Sequence, residues 1–330
     1  MATVARAAGV ATSTVSKALR SDPTIPEARR VEIRRLAESL GYRPNPMVSA
    51  LMARLHSQRR RNDPHHLAWL DLWPDDKEAV QATDLDLMLG GARARALELG
   101  YQIEVHHVAR NGTSPSRLHE ILVSRAQWGL IIPPVPRDAM SYPFDLEGLT
   151  GVTIGTSLHQ PVMHRVASNL FQGSQLACRK LRERGFRRLG LVLSPAMHER
   201  VEHKWLGAFL SEQMSWPAEQ QLPPLLGRPD DEVRFVEWQK RWKPDAILLA
   251  EPHVEGWIER AATRRAPAPR VAWLRRIASL PKQTFAIDTR PDKMGAAAVG
   301  LVVGQIHRNE RGTPEDAHTL LLDGTWTELG

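Results

Sequence analysis

The sequence predicts a two-part molecule: a small all-α helix-turn-helix head, then an α/β core of two parallel-sheet subdomains. Three observations predict it. Two short helical patterns flank a glycine near the N-terminus, strand and helix patterns alternate from residue 65 onward, and the charge divides between these parts. Residues 1–62 hold 12 Lys and Arg against 4 acids, a surplus larger than the +7 of the whole 330-residue chain. A phosphate-binding head on a near-neutral body is the simplest cause of that division.

Within the head, Val4 and Ala8 are apolar and one helical turn apart, and Gly9 permits the positive φ of a sharp turn. Val10 is expected to be buried in that turn. Val15 and Leu19 repeat the apolar spacing on a second helix and leave Thr12, Ser13, Ser16 and Lys17 facing outward. Small hydroxyl side chains and one cation at the start of a short helix suit entry into the major groove of DNA. A third helix opens at Pro26 and Glu27, offers Val31, Ile33, Leu36, Ala37 and Leu40 as its apolar face, and stops at Gly41. Tyr42 to Pro46 breaks helical geometry, Met47 to Leu55 is a short apolar helix, and His56 to Pro64 is a polar, basic connector.

From His65 the alternation begins. Strands are predicted at 67–72, 102–108, 129–132, 152–154, 188–193, 246–249, 270–274, 284–287 and 319–322. Helices are predicted at 85–99, 116–126, 170–184, 199–213, 254–263 and 293–307. Such a chain builds parallel sheets with helices on both faces, here as two halves with crossovers near 160 and 289. The domain boundaries follow: head 1–43, hinge helix and linker 44–64, and core 65–330. Its N-subdomain takes about 65–160 and 290–318, its C-subdomain about 161–289 and 319–330.

Composition narrows the functional classes. A single cysteine, Cys178, excludes an intrachain disulfide. With no apolar leader and no run of 18 apolar residues, a cytoplasmic protein without a membrane partner is expected. No GxSxG, P-loop or GxGxxG is present, so no enzyme is predicted. His198 and His203 mimic a zinc motif, but five residues set them about 140° apart on a helix, and neither metal nor cofactor is expected.

The run T-V-A-R-A-A-G-V-A-T-S-T-V-S-K-A-L-R from Thr3, followed by G-Y-R-P-N-P-M-V-S-A-L from Gly41, resembles the head and hinge of the LacI/GalR family of bacterial transcription regulators. The resemblance implies base reading by Thr12 and Ser13 and a base or phosphate contact by Lys17. It also implies backbone contacts by Thr14 and Ser16, a contact at Asn45, and a minor-groove wedge at Leu51. The family has several residues before the position of Thr3, including a helix cap, so the natural start is expected upstream of Met1. Trp128 to Ile132, Ala167 to Gly173, Gly185 to Gly190 and Arg290 to Gly295 match later landmarks in order, which implies a periplasmic-binding-protein-like core. It further implies a homodimer on pseudo-palindromic double-stranded DNA and a small-molecule effector in the cleft between halves.

Candidate effector residues are Trp73, Asp75, Asn169, Phe171, Trp205, Glu251 and Arg275. By resemblance, Ser168 stands where the family has an acid, Trp205 where it has a clamping arginine, and Leu274-Arg275-Arg276 where it has Phe-Asp-Asp. Loss of these acids and gain of Arg275 and Arg276 points to an anionic effector, a sugar acid or sugar phosphate, with Trp205 or Trp73 stacked on its ring. The competing class is a small-molecule-binding or enzymatic α/β protein whose basic N-terminus is incidental. Binding to DNA upstream of its own gene separates the two.

Overall fold

A computed structural model describes residues 2–19, 25–40, 65–74, 79–136, 139–227, 231–262, 267–277 and 284–328. The hinge and linker at 44–64 lie outside the described residues.

In the head, α1 (Ala2–Ala8), α2 (Thr12–Leu19) and α3 (Glu27–Ser39) close on Val4, Ala5, Ala8, Val15, Ala18 and Ile33, all buried. Gly9 has φ +63°, and the amide of Val10 returns to the Ala5 carbonyl at 3.0 Å. Val31 and Leu40, expected in the core, are exposed. Two residues separate Val31 from Ile33, about 200° around a helix, so burial of Ile33 turns Val31 outward.

The first half of the core carries β1 (His65–Asp71), α4 (Ala79–Glu98), β2 (Tyr101–His107), α5 (Pro115–Ser124), β3 (Gly129–Ile132), β4 (Thr150–Ile154) and β5 (His164–Ser168). The second carries α6 (Leu170–Glu183), β6 (Leu189–Leu193), α7 (Pro195–Arg200), α8 (Lys204–Gln213), β7 (Leu225–Leu226), α9 (Glu232–Trp242), β8 (Ala246–Leu249), α10 (Pro252–Ala261), β9 (Arg270–Trp273) and β10 (Phe285–Asp288). The chain then forms α11 (Pro291–Arg308), β11 (Thr319–Leu322) and β12 (Thr325–Glu328).

Each half is one six-stranded sheet with the same spatial order: β2-β1-β3-β4-β5-β11 in the first, β7-β6-β8-β9-β10-β12 in the second. All pairings are parallel except β12 on β10. Central strands such as β3 and β8 are buried throughout, as parallel strands covered on both faces must be.

The chain passes between halves three times: at Asn169, at Thr289–Arg290 and at Asp323–Gly324. The first crossover expected near 160 therefore falls at 169, because β5 pairs with β4 and completes the first half. The strand at 319–322, expected in the C-subdomain, pairs with β5 in the first sheet, and only β12 belongs to the second. The segment expected as one helix at 199–213 is two, α7 and α8. Between them Glu202 and His203 take left-handed φ values of 52° and 61°.

α4 and α11 cross at backbone contact on the first half. A Cβ on Gly91 would lie 1.9 Å from the Asp292 carbonyl oxygen, and one on Gly295 would lie 1.9 Å from that of Met88.

Candidate functional site

In the head, α2 buries Val15 and Ala18 and exposes Thr12 and Lys17, with Thr14 half-buried. Ser13 and Ser16 lie on the same helix. Arg29 on α3 ties the end of α1, donating to the Ala8 carbonyl at 2.8 Å while pairing with Glu32 at 2.6 Å. The first acid in the chain is Asp22, so α1 and α2 carry only positive side-chain charge. Asn45 and Leu51 lie outside the described residues.

The core holds a cavity of about 730 Å³ at the C-terminal ends of strands from both sheets. Parallel strands stop there and helices begin, so loops and first turns line it, which is where open α/β sheets take ligands. From the first half come Trp73 after β1, Asp84 and Met88 on α4, Pro134 after β3 and Thr156 after β4. From the second half come Met197 and Arg200 on α7, Trp205 on α8, Glu251 after β8 and Arg275 after β9.

Four of the candidate effector residues meet there: Trp73, Trp205, Glu251 and Arg275. Trp73 is fixed by its indole Nε1 donating to the Pro134 carbonyl at 2.6 Å. Glu251 accepts the Ser194 amide at 2.7 Å. Arg275 reaches across to Asp84 at 2.8 Å, so the two halves share an ion pair. Burial pushes the Asp84 carboxyl above its usual range. The Arg275 charge opposes this shift, and Asp288 adds to it. Trp205 is 1 % exposed, and its indole Nε1 is buried without a hydrogen-bond partner.

Four expectations need correction or fall away. Asn169 belongs to the frame: its side chain accepts the Gln172 amide at 3.2 Å, capping α6, and donates to Asp323 at 2.8 Å. It does not line the cavity, and neither does Phe171, exposed on the first turn of α6 beside Gly207. Arg276 is exposed, held by its amide to the Ile287 carbonyl at 2.6 Å, and is not among the residues that line the cavity. Asp75 lies outside the described residues.

The sequence pattern missed Asp84 and Arg200. Arg200 donates to the Val135 carbonyl at 3.0 Å, and its own carbonyl accepts from Thr156 at 3.0 Å, so it too bridges the halves. Burial, and then the nearby Arg275 charge, lower its pKa from the ordinary guanidinium value. On one continuous helix Arg200 and Trp205 would point about 140° apart. The left-handed turn at Glu202–His203 lets both line one cavity. A Ser-Pro pair after β6 was the available signal: Ser194 accepts the Met197 amide at 3.1 Å and starts a helix there.

His198 and His203 form a hydrogen-bonded pair, Nε2 to Nδ1 at 2.7 Å. Among the described residues no group of three or more potential metal ligands occurs, and no helix is long and apolar enough to cross a membrane.

The family model for bacterial regulatory proteins of the lacI family matches residues 1–45. No curated protein matches the chain. Among solved structures, the transcriptional regulator CelR in its cellobiose complex is 19% identical with a TM-score of 0.53, covering 98% of this chain and 97% of its own. The Lac repressor bound to ONPG is 18% identical with a TM-score of 0.54, over 98% and 97%. A LacI-family regulatory protein from Chloroflexus aggregans is 14% identical with a TM-score of 0.56, over 79% and 96%. At these identities the structural matches speak for the fold alone, and the family match is confined to the head. The first 45 residues thus match the lacI-family model, and the chain as a whole has the fold of these solved structures.

Proposed function

We propose that the protein is a repressor that binds a pseudo-palindromic operator as a homodimer and changes its DNA affinity when a small acidic molecule occupies the cavity. The observation that carries this is the cavity itself, roofed and floored by different sheets and spanned by Arg275–Asp84 and by Arg200 to Val135. A ligand that bridges the same gap changes how the halves sit on the three crossovers. It shifts the population only to the extent that it binds one arrangement better. The ligand complexes among the similar structures, with cellobiose and with ONPG, support a small-molecule role for this fold.

DNA reading is assigned to α2. Thr12, Ser13 and Lys17 meet base edges and phosphates, and Thr14 and Ser16 meet the backbone. Asn45 and the wedge Leu51 follow in the hinge. One short helix reads few bases, so two half-sites are needed for useful affinity. Footprinting the full chain on DNA upstream of its own gene is expected to show one protected segment with two-fold symmetry. Protection without symmetry, or none, sinks the dimeric reading.

A further inference from the structure

We infer that the effector is a small monocarboxylic acid with an apolar body, its carboxylate held by Arg200. This rests on the cavity being the effector site, and it departs from a sugar or sugar-acid ligand.

The side chains that line the cavity divide into engaged and open groups. Asp84 and Arg275 satisfy each other. Glu251 holds the Ser194 amide, Ser194 Oγ holds the Met197 amide, Ser157 Oγ holds the Val135 amide, and Thr156 Oγ1 donates to the Arg200 carbonyl. A polyol needs several open acceptors for its hydroxyls, and these acceptors already have donors. Ser168, Thr289 and His159 also line the cavity and can each accept one hydroxyl, and two further groups offer donors. Trp205 Nε1 is buried without a partner. The Arg200 guanidinium spends one nitrogen on the Val135 carbonyl and forms no ion pair among the described residues.

Charge follows the same division. Two guanidiniums, Arg200 and Arg275, line the cavity, and one carboxylate, Asp84, pairs with the second. Two more acids, Glu199 and Glu251, line the cavity, and Glu251 holds the Ser194 amide. The unspent donors of the Arg200 fork are what one small anion would satisfy. A carboxylate matches the planar guanidinium fork and brings a single charge, whereas a phosphate dianion would add two to a lining that already holds Asp84, Glu199 and Glu251.

The walls decide the body of the ligand. Met88, Met140, Met197 and Met294 line the cavity together with Trp73 and Trp205. Thioethers are polarisable, adaptable and favourable against ring edges, and indoles stack on flat apolar groups. A volume of about 730 Å³ holds a substituted ring or a short branched chain with its acid.

The test uses the full-length protein in a thermal-shift and calorimetric screen. Its probes are benzoate, phenylacetate, indole-3-acetate and hexanoate, their neutral amides, and glucose, gluconate and glucose 6-phosphate. At least one apolar acid is expected to bind, its amide at least about 10-fold more weakly. Arg200→Gln should weaken the acid by about the same factor, Arg200→Lys should restore part of it, and Arg275→Gln should not abolish it. An amide equal to its acid, or an acid indifferent to Arg200→Gln, overturns the inference. If a sugar binds and Trp205→Ala abolishes that binding, the cavity reading stands and the acid falls. Binding insensitive to both Trp205→Ala and Arg200→Gln, or no binding by any probe, removes the cavity reading as well.

Discussion

Asn169 sits where the chain first leaves one sheet for the other, and its amide works in both directions there: it caps α6 and it holds Asp323 in the third crossover. Asn169→Ala removes a helix cap and one tie between crossovers, so it should cost about 0.5–2 kcal/mol of stability. The measurement is a urea midpoint that falls at unchanged slope. Lys17 is exposed on α2 with no acid on α1 or α2 to compete for it. Lys17→Ala should weaken operator binding by about 1–3 kcal/mol if it reaches a base, and an unchanged affinity in a gel shift takes it out of the reading set. At this scale the sequence disclosed residues whose position follows from where a strand ends: Trp73, Glu251 and Arg275 each lie within two residues of one. It did not disclose Arg200, whose direction depends on a backbone break between two non-glycine residues, or the engagement of Asn169, whose partner is 154 positions away.

Between elements, the contact of α4 with α11 is the least forgiving in the core. Gly91 and Gly295 each meet opposing backbone and not the end of a flexible side chain, so an added methyl group must push the helices apart. Gly295→Ala should destabilise by about 1–3 kcal/mol, seen as a lower Tm, while Gly300→Ala on the same helix, where a Cβ meets nothing, should not. Met88 and Met294 from these helices line the cavity, so the first variant should also reduce ligand binding. Strands of continuous apolar residues such as Gly129 to Ile132 and Ala246 to Leu249 were legible because burial on both faces leaves no other pattern. β5, His-Arg-Val-Ala-Ser, was not, since its apolar core is two residues long. Nor was α9, where Phe235 and Trp238 are buried among charged neighbours.

At the scale of the molecule, four histidines among the described residues are held below their usual pKa. Burial does this first at His106, His164, His198 and His307. It is reinforced by Arg125 and His107 at the first, His318 and Arg308 at the second, His203 at the third and Arg308 at the fourth. Glu104 and Gln127 oppose it at His106, Glu310 at His164 and Glu199 at His198. Each is depressed in the folded state, so the unfolded chain binds more protons as pH falls below about 6.5. Their stability contribution is fully present above that pH and is lost below it as each folded-state pKa is passed. Tm should therefore drop between pH 7.5 and 5.5, and a variant with all four changed to Gln should drop less over that interval. Equal drops would assign the acid sensitivity to carboxylates instead. The two-sheet architecture was legible from alternation alone. The third crossover was not, because pairing of Thr319–Leu322 with His164–Ser168 is a long-range choice that no local pattern states.

That choice bears on how the protein is made. The first sheet lacks its sixth strand until residue 322 has been synthesised, after every strand of the second sheet except β12. α11, which covers the first sheet, also follows the whole second set of β-α units. During translation the early half is therefore a five-stranded sheet whose β5 edge is unpaired and whose apolar face over β3, β4 and β5 awaits α11. Its completion waits on the ribosome, and a chain stalled before residue 291 presents that face to whatever holds nascent proteins.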